Sequence, residues 1–220
     1  MGVIGTSSGE MYSSRIFRHL EFLLGELSLR LEEFDLFAVA AGPGSFTGLR
    51  VGLAAVKGWA EVYGRPIAAV SALEAVAMQS RSRAATIVSV MDARRKELYW
   101  GVYGRREGHA GTRLALRNHE VVGTPEDFVR AVSSCGAAAD LAIATPSPAI
   151  VNEALARSET NGASAPRISV DRASPILAPE IGHLGWLQAQ EGALADALTL
   201  DANYIRRADA ELHWKGSEGS

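Results

Sequence analysis

Apolar positions recur at helical spacing early in the chain. Ile16, Leu20, Leu23, Leu27 and Leu31 fall on one face with Phe17 and Leu24 beside them, which predicts a helix over about Ser13–Glu33 with Ser13 or Ser14 as its cap. Leu36–Ala41 is a short apolar run of the kind that forms a buried strand. It leads through Gly42-Pro43-Gly44-Ser45-Phe46-Thr47-Gly48 into a second helix over about Gly48–Tyr63, which Gly64 and Pro66 stop. That helix carries two apolar stripes, Leu49/Leu53/Val56/Ala60/Tyr63 and Val51/Ala55/Trp59/Val62, and its only charges are Arg50, Lys57 and Glu61. A helix so apolar around its circumference must be covered on more than one side.

Ile67–Val70 reads as a strand. Ser71-Ala72-Leu73-Glu74 has the form of a capping box opening a helix to about Gln79. Thr86–Met91, rich in β-branched residues, predicts a buried strand; Asp92–Lys96 reads as a turn and Glu97–Tyr103 as the returning strand of an antiparallel hairpin. The second half is less regular. Thr124-Pro125-Glu126-Asp127 starts a helix, Leu141–Ala144 and Ile168–Val170 are short strands, and Ser174-Pro175 opens a helix to about Gln190. Glu159–Ala165 reads as a loop, and the last ten residues form a polar tail. Strands alternating with helices predict an α/β protein with helices on both sheet faces and a boundary near residues 95–105.

A length of 220 residues suits one large or two small domains. The net charge of −3 excludes nucleic-acid binding by bulk charge, so any RNA contact needs a local patch or a partner. The single cysteine, Cys135, rules out an intrachain disulfide and CxxC zinc patterns, which fits a cytoplasmic protein. No apolar run approaches the roughly 20 residues of a membrane-spanning helix, and Met1–Thr6 lacks the basic flank of a signal peptide.

The sharpest chemical feature is the glycine-rich stretch between strand and helix. Gly42, Gly44, Ser45, Thr47 and Gly48 suit either a phosphate cradle at a helix N-terminus or a tight connector that lets the helix pack close to its sheet. The loop contains no lysine and lacks the third glycine of G-x-G-x-x-G, so it is neither a Walker loop nor a dinucleotide fingerprint. His119-Glu120 begins a zinc-protease pattern that fails at Gly123, and Pro43 breaks the nucleophile elbow around Ser45. No metal-ligand spacing occurs among the histidines, and Cys135 reads as a bystander. Asp92, Arg94 and Arg95 form either a phosphate contact or a solvated turn; Arg206-Arg207 form either a contact for partner or RNA or a basic tail. No catalytic residue is assigned.

Gly42-Pro43-Gly44-Ser45-Phe46-Thr47-Gly48-Leu49-Arg50-Val51-Gly52-Leu53, with Lys57-Gly58, Val70–Ala75, Met91–Tyr99 and Tyr204-Ile205-Arg206, resembles the signature of the TsaB (YeaZ) family. The likeness is close from about Tyr12 to Tyr103 and thin from there to about Pro175. It implies an actin/Hsp70-like fold of two α/β lobes. Residues 1–100 would form a first lobe that looks truncated, joined by the helix at about 175–195; 101–174 would form the second lobe and 196–220 a tail. Family chains begin with a strand ending in Asp-Thr-Ser and then a second strand, so roughly 25–30 residues are expected upstream, lost through a misplaced start. Their absence would leave the edge of Leu36–Ala41 unpaired, with Val3–Ser8 as the remnant of a strand.

The resemblance further implies a non-catalytic subunit. It would bind and support TsaD, the transferase that forms N6-threonylcarbamoyladenosine in tRNA, together with the ATPase TsaE; without TsaD it would pair with itself. The two N-terminal helices would be the contact, through Ile16, Leu20, Leu23 and Leu27 on the first and Val51, Ala55 and Trp59 on the second. ATP or ADP would bind, if at all, at a surface shared with TsaD. The alternatives are a stand-alone small ATPase or peptidase and a purely structural homo-oligomer.

Overall fold

The computed structural model describes residues 2–6, 15–108, 111–136, 140–160, 168–203 and 205. Helix α1 (Ile16–Leu27) precedes strand β1 (Phe37–Gly42), helix α2 (Phe46–Tyr63) and strand β2 (Ile67–Ser71). β1 and β2 pair in parallel, from Phe37 opposite Ile67 to Ala40 opposite Val70, with a register shift before Gly42 meets Ser71. This two-stranded sheet is covered on both faces, as parallel strands require. Leu53, Val56 and Ala60 of α2 pack with Phe37, Val39 and Ile67 on one side. On the other, Leu184 and Leu187 of α6 (Ala178–Gln190) pack with Ala68, Val70 and Ala75. A side-chain carbon at Gly185 would lie 2.6 Å from the Ala38 Cβ and 3.1 Å from the Ala68 Cβ, so α6 approaches the sheet at a point where three small residues meet.

The second sheet holds β3 (Thr86–Arg94), β4 (Glu97–Gly108), β5 (Gly111–Leu116), β6 (Val121–Gly123), β7 (Leu141–Thr145) and β8 (Ser169–Arg172). Its order is β5-β4-β3-β7-β8, with β6 also paired to β4. β3 meets β4 antiparallel and β7 in parallel, so the hairpin and the crossovers share one sheet. Helices α4 (Pro125–Ser134) and α5 (Pro148–Thr160) cover one face through Phe128, Val132, Val151 and Ala154 over Val88, Val90, Trp100 and Ile143. Helix α3 (Ala72–Met78) covers the other face through Leu73, Val76 and Ala77 over Ile87, Tyr103, Ala142 and Ala144. Since Ala75 of the same helix belongs to the α6 cluster, α3 sits between the two sheets.

Several boundaries differ from the sequence reading. Both strands of the hairpin pair within the second sheet, which moves the lobe boundary from about residue 100 to the link between α3 and β3. α1 stops at Leu27 because Ser28 takes a left-handed conformation (φ 52°), whose amide closes on the Gly25 and Leu24 carbonyls; Leu31–Glu33 form a separate 3-10 turn. The expected caps Ser13 and Ser14 lie outside the described residues. α2 starts at Phe46, two residues early, because Ser45 is its cap. Residues 196–203 are not a tail: Ala195 exchanges hydrogen bonds with Ile67, Leu200 is buried in the α2 cluster, and the Asn203 amide donates to the Ala41 carbonyl at 2.7 Å. Residues 2–6 form no strand; Gly2 lies against Leu23 and Leu27 of α1. Among the described residues, β2 is the only strand paired with β1.

Gly185→Val is expected to cost about 1–3 kcal/mol by forcing α6 off Ala38 and Ala68. Urea denaturation measures it, and a variant as stable as the parent would contradict the close contact.

Candidate functional site at the junction of the sheets

The carboxyl ends of parallel strands are where α/β folds place ligands. At the ends of β1 and β2 stand Gly42 and Ser71, and the chain gathers a polar cluster there. Ser71 caps α3, its Oγ accepting from the amides of Leu73 (3.1 Å) and Glu74 (3.2 Å). The reciprocal arm of the capping box is not formed. The Ser71 hydroxyl instead donates to Oε1 of Glu120, in the link before β6. Tyr103 of β4 donates to the same oxygen at 2.7 Å, and the Asn203 side-chain amide donates to Oε2 at 2.7 Å. One carboxylate therefore accepts from three side chains on three separate segments. Burial, then the Glu120 carboxylate, pushes the Tyr103 phenol well above its usual range, so Tyr103 is a donor at every accessible pH.

Glu74, the only charged residue of α3, faces this cluster. Burial first and then the Glu120 carboxylate raise its pKa from 4.5 to about 7; Arg113 opposes the rise and Glu191 adds to it. Arg113 of β5 is itself paired with Glu191, just beyond α6. The site thus concentrates carboxylates whose cations are already engaged. Among the described residues no group of three or more His, Cys, Asp or Glu side chains is placed to hold a metal ion.

The glycine loop adjoins the cluster through Asn203. Gly42 has φ 129°, a conformation that favours glycine, and a side chain there would meet the Asn203 carbonyl oxygen at 2.6 Å. The crossing of the C-terminal segment thus accounts for this glycine. Ser45 Oγ accepts from the Gly48 amide at 3.4 Å, so the chain's own side chain takes one of the first-turn amides that a phosphate would need. Gly44 is half-buried and packs towards Leu49, and Thr47 is exposed.

The proposed contact helices divide differently from expectation. Ile16, Leu20 and Leu23 of α1 are half-buried and Leu27 is exposed; no α1 residue is fully buried. Phe17 meets Trp59 edge-on at 6.2 Å, and Trp59 also touches Phe37. The Val51/Ala55/Trp59 stripe is therefore turned inward: Ala55 is buried at 8% exposure and Val51 half-buried. That corrects Ala55 as an outer contact, since its neighbours already lie within the chain. The outer line of α2 is Phe46, Arg50, Ala54, Gly58 and Val62, four residues apart and all exposed. Arg50 lies over the Phe46 ring at 3.8 Å, and Val62 is 75% exposed. On α1, Phe22 is 63% exposed.

The remaining candidates stand apart from the cluster. Arg94, Arg95 and Lys96 form an exposed hairpin tip, all with positive φ, and Arg94 pairs with Asp92 at 3.4 Å. Cys135 donates to the Ala131 carbonyl, and burial raises its thiol pKa, which argues against a nucleophile. Arg206 and Arg207 lie outside the described residues. Among the described residues no helix is long and apolar enough to cross a membrane. Sequence reasoning missed the hub: Glu120 entered only as part of a broken zinc pattern, Ser71 and Glu74 only as a capping box, and Tyr103 and Asn203 gave no spacing signal because they meet Glu120 only in three dimensions.

Two α/β lobes flanking such a junction make up the actin/Hsp70-like fold, and the solved structure of YeaZ from Pseudomonas aeruginosa superposes with a TM-score of 0.69 at 25% identity, over 89% of this chain and 86% of that one. Residues 1–146 match the family described as TsaD, tRNA N6-adenosine threonylcarbamoyltransferase, and the chain belongs to that family. Within it the resemblance to TsaB holds. The tRNA threonylcarbamoyladenosine biosynthesis protein TsaB of Bacillus subtilis is 35% identical over 97 residues, 44% of this chain and 42% of the relative. The Escherichia coli protein of the same name is 32% identical over 116 residues, 50% of each. The chain spans about half or less of the length of the curated relatives it matches.

Glu74 carries a pH signature. Its folded pKa of about 7 exceeds the ordinary 4.5, so the unfolded chain ionises first. The resulting cost is absent below about pH 4.5, grows between pH 4.5 and 7, and is complete above 7. Glu74→Gln removes it, so the variant should gain stability over the parent, on the order of 1–3 kcal/mol, as pH rises from about 5 to about 8. Equal stability differences in urea melts at both pH values would refute this environment for Glu74.

Proposed function

We propose that this chain supports formation of N6-threonylcarbamoyladenosine in tRNA as a non-catalytic subunit, docking through α1 and α2 onto a TsaD transferase that works with the ATPase TsaE. The carrying observation is the outer line of α2. Phe46, Ala54, Gly58 and Val62 stay exposed although both other sides of the helix are engaged, one with the sheet and one with α1. Ala54 and Gly58 are small enough for another helix to approach closely, while Phe46 and Val62 offer apolar anchors at either end. The names of the Bacillus subtilis and Escherichia coli relatives supply the reaction. Without the transferase, the same face pairs with a second copy.

A role other than catalysis fits the chemistry at the junction. The Ser71 and Tyr103 hydroxyls and the Asn203 amide are taken up by the Glu120 carboxylate, and burial raises the Cys135 thiol pKa, which disfavours the reactive thiolate. A nucleotide would need cations that this junction has already paired, so a surface shared with the transferase is the better place for ATP or ADP.

Co-purification with the TsaD of the same organism, read by size-exclusion chromatography with light scattering, tests docking; nucleoside mass spectrometry of tRNA from a deletion strain tests the reaction. Val62→Glu should weaken the complex about tenfold or more, since a charge would be buried against an apolar partner. Monomer stability should change by less than about 0.5 kcal/mol, because Val62 is exposed. Ala55→Glu should destabilise the monomer itself. A Val62→Glu protein that binds normally would rule out the outer line as the contact.

A further inference from the structure

The Glu120 cluster has an architecture that its position alone does not require. Glu120 sits in the link between β5 and β6, on the second sheet. Its three donors come from three segments: Ser71 from the end of the first sheet, Tyr103 from β4 of its own sheet, and Asn203 from the C-terminal segment. Each donor has a second task. Ser71 caps α3, the helix buried between the sheets. Tyr103 is 2% exposed and packs in the α3 core. Asn203 donates its backbone amide to Ala41, and its carbonyl passes over the Gly42 Cα. Three residues beyond Gly42, Ser45 caps α2.

We propose that Glu120 is an inter-lobe latch: its carboxylate ties the ends of both sheets to the C-terminal segment and, through Asn203, fixes the backbone path of the glycine loop that launches α2. It acts as a positioning residue. Hydrogen bonds to a carboxylate are about twice as strong as neutral ones, and the two from Ser71 and Tyr103 are partly buried and so harder to replace by water, while the one from Asn203 is exposed. Removing the carboxylate leaves the Ser71 and Tyr103 hydroxyls without their acceptor and frees the Asn203 side chain. The next contact in the chain of dependence is the single Asn203–Ala41 bond, so the loop should loosen before either core does. Local opening of this kind is separable from global unfolding by hydrogen exchange.

The experiment is amide exchange followed by mass spectrometry on the full chain, comparing the parent with Glu120→Ala and Asn203→Ala. Asn203 is exposed, so its truncation leaves both cores intact and removes only the link from the latch to the loop. Peptides covering residues 41–48 should exchange about tenfold faster in Glu120→Ala and several-fold faster in Asn203→Ala, with β7 peptides unchanged in both. If Glu120→Ala does not fold, Asn203→Ala alone decides. Parent-like exchange over 41–48 in Asn203→Ala would overturn the latch. So would an acceleration in Glu120→Ala as large in β7 as in the loop, which would make Glu120 a general stabiliser.

Discussion

α3 is a seven-residue helix with five buried residues, and it is shared by two sheets. Ala75 packs towards α6 and the first sheet, and Leu73, Val76 and Ala77 pack on the second. A helix that short has no stability of its own. It exists because both sheets close on it, and because Ser71 satisfies two of its first amides at the point where β2 ends. The same arrangement holds the lobes together. A two-stranded parallel sheet is marginal alone and needs cover on both faces. α2 covers one face, but the other requires a helix from the far end of the chain. α6 therefore returns after the second sheet is complete, and the segment to Asn203 follows it back to β1.

That sharing has an electrostatic consequence. A helix buried on opposite sides leaves little room for its one charged residue, and Glu74 lies on the side of the junction. There burial first and then Glu120 raise its pKa, and Arg113 offsets part of the effect but is itself engaged with Glu191. Glu120 by contrast is surrounded by donors. Two carboxylates on one junction thus divide the roles: Glu120 organises its neighbours, and Glu74 bears the cost of burial first and of the neighbouring carboxylate second. The arrangement favours order over ligand capture, since three of the polar side chains converging there are already bound to Glu120.

What the sequence made legible were features set by local chemistry. Thr124-Pro125 with Asp127 forms a complete capping box at α4, and Gly64 ends α2 at φ 60°. The circumferential apolarity of α2 correctly implied cover on several sides. The misses share a different cause. Nothing in Ser28 announces a left-handed cap, so the leucine periodicity carried α1 on to Glu33. β5 and β6 are edge additions to β4 with weak alternation, and α5 begins in a stretch without a strong apolar stripe. The lobe boundary was misplaced because a hairpin looks self-contained until its parallel partner, β7, is known. The Glu120 hub draws on positions 71, 103, 120 and 203, and no local pattern can foretell such a meeting.

α2 carries the argument from fold to function. Its inner residues Leu53, Val56 and Ala60 hold the first sheet, Trp59 holds α1, and its N-terminus leaves directly from the glycine loop. With those sides committed, the exposed Phe46, Ala54, Gly58 and Val62 of the outer line bring the chain itself no further burial. A monomer has no reason to keep Val62 exposed beside Ala54 and Gly58, when charged residues at those positions would serve solubility better. A second helix laid along that line would meet Ala54 and Gly58 at close range, with Phe46 and Val62 as anchors at either end. The helix that is overdetermined inside the molecule is thus underdetermined outside it, and the proposed docking rests on that asymmetry.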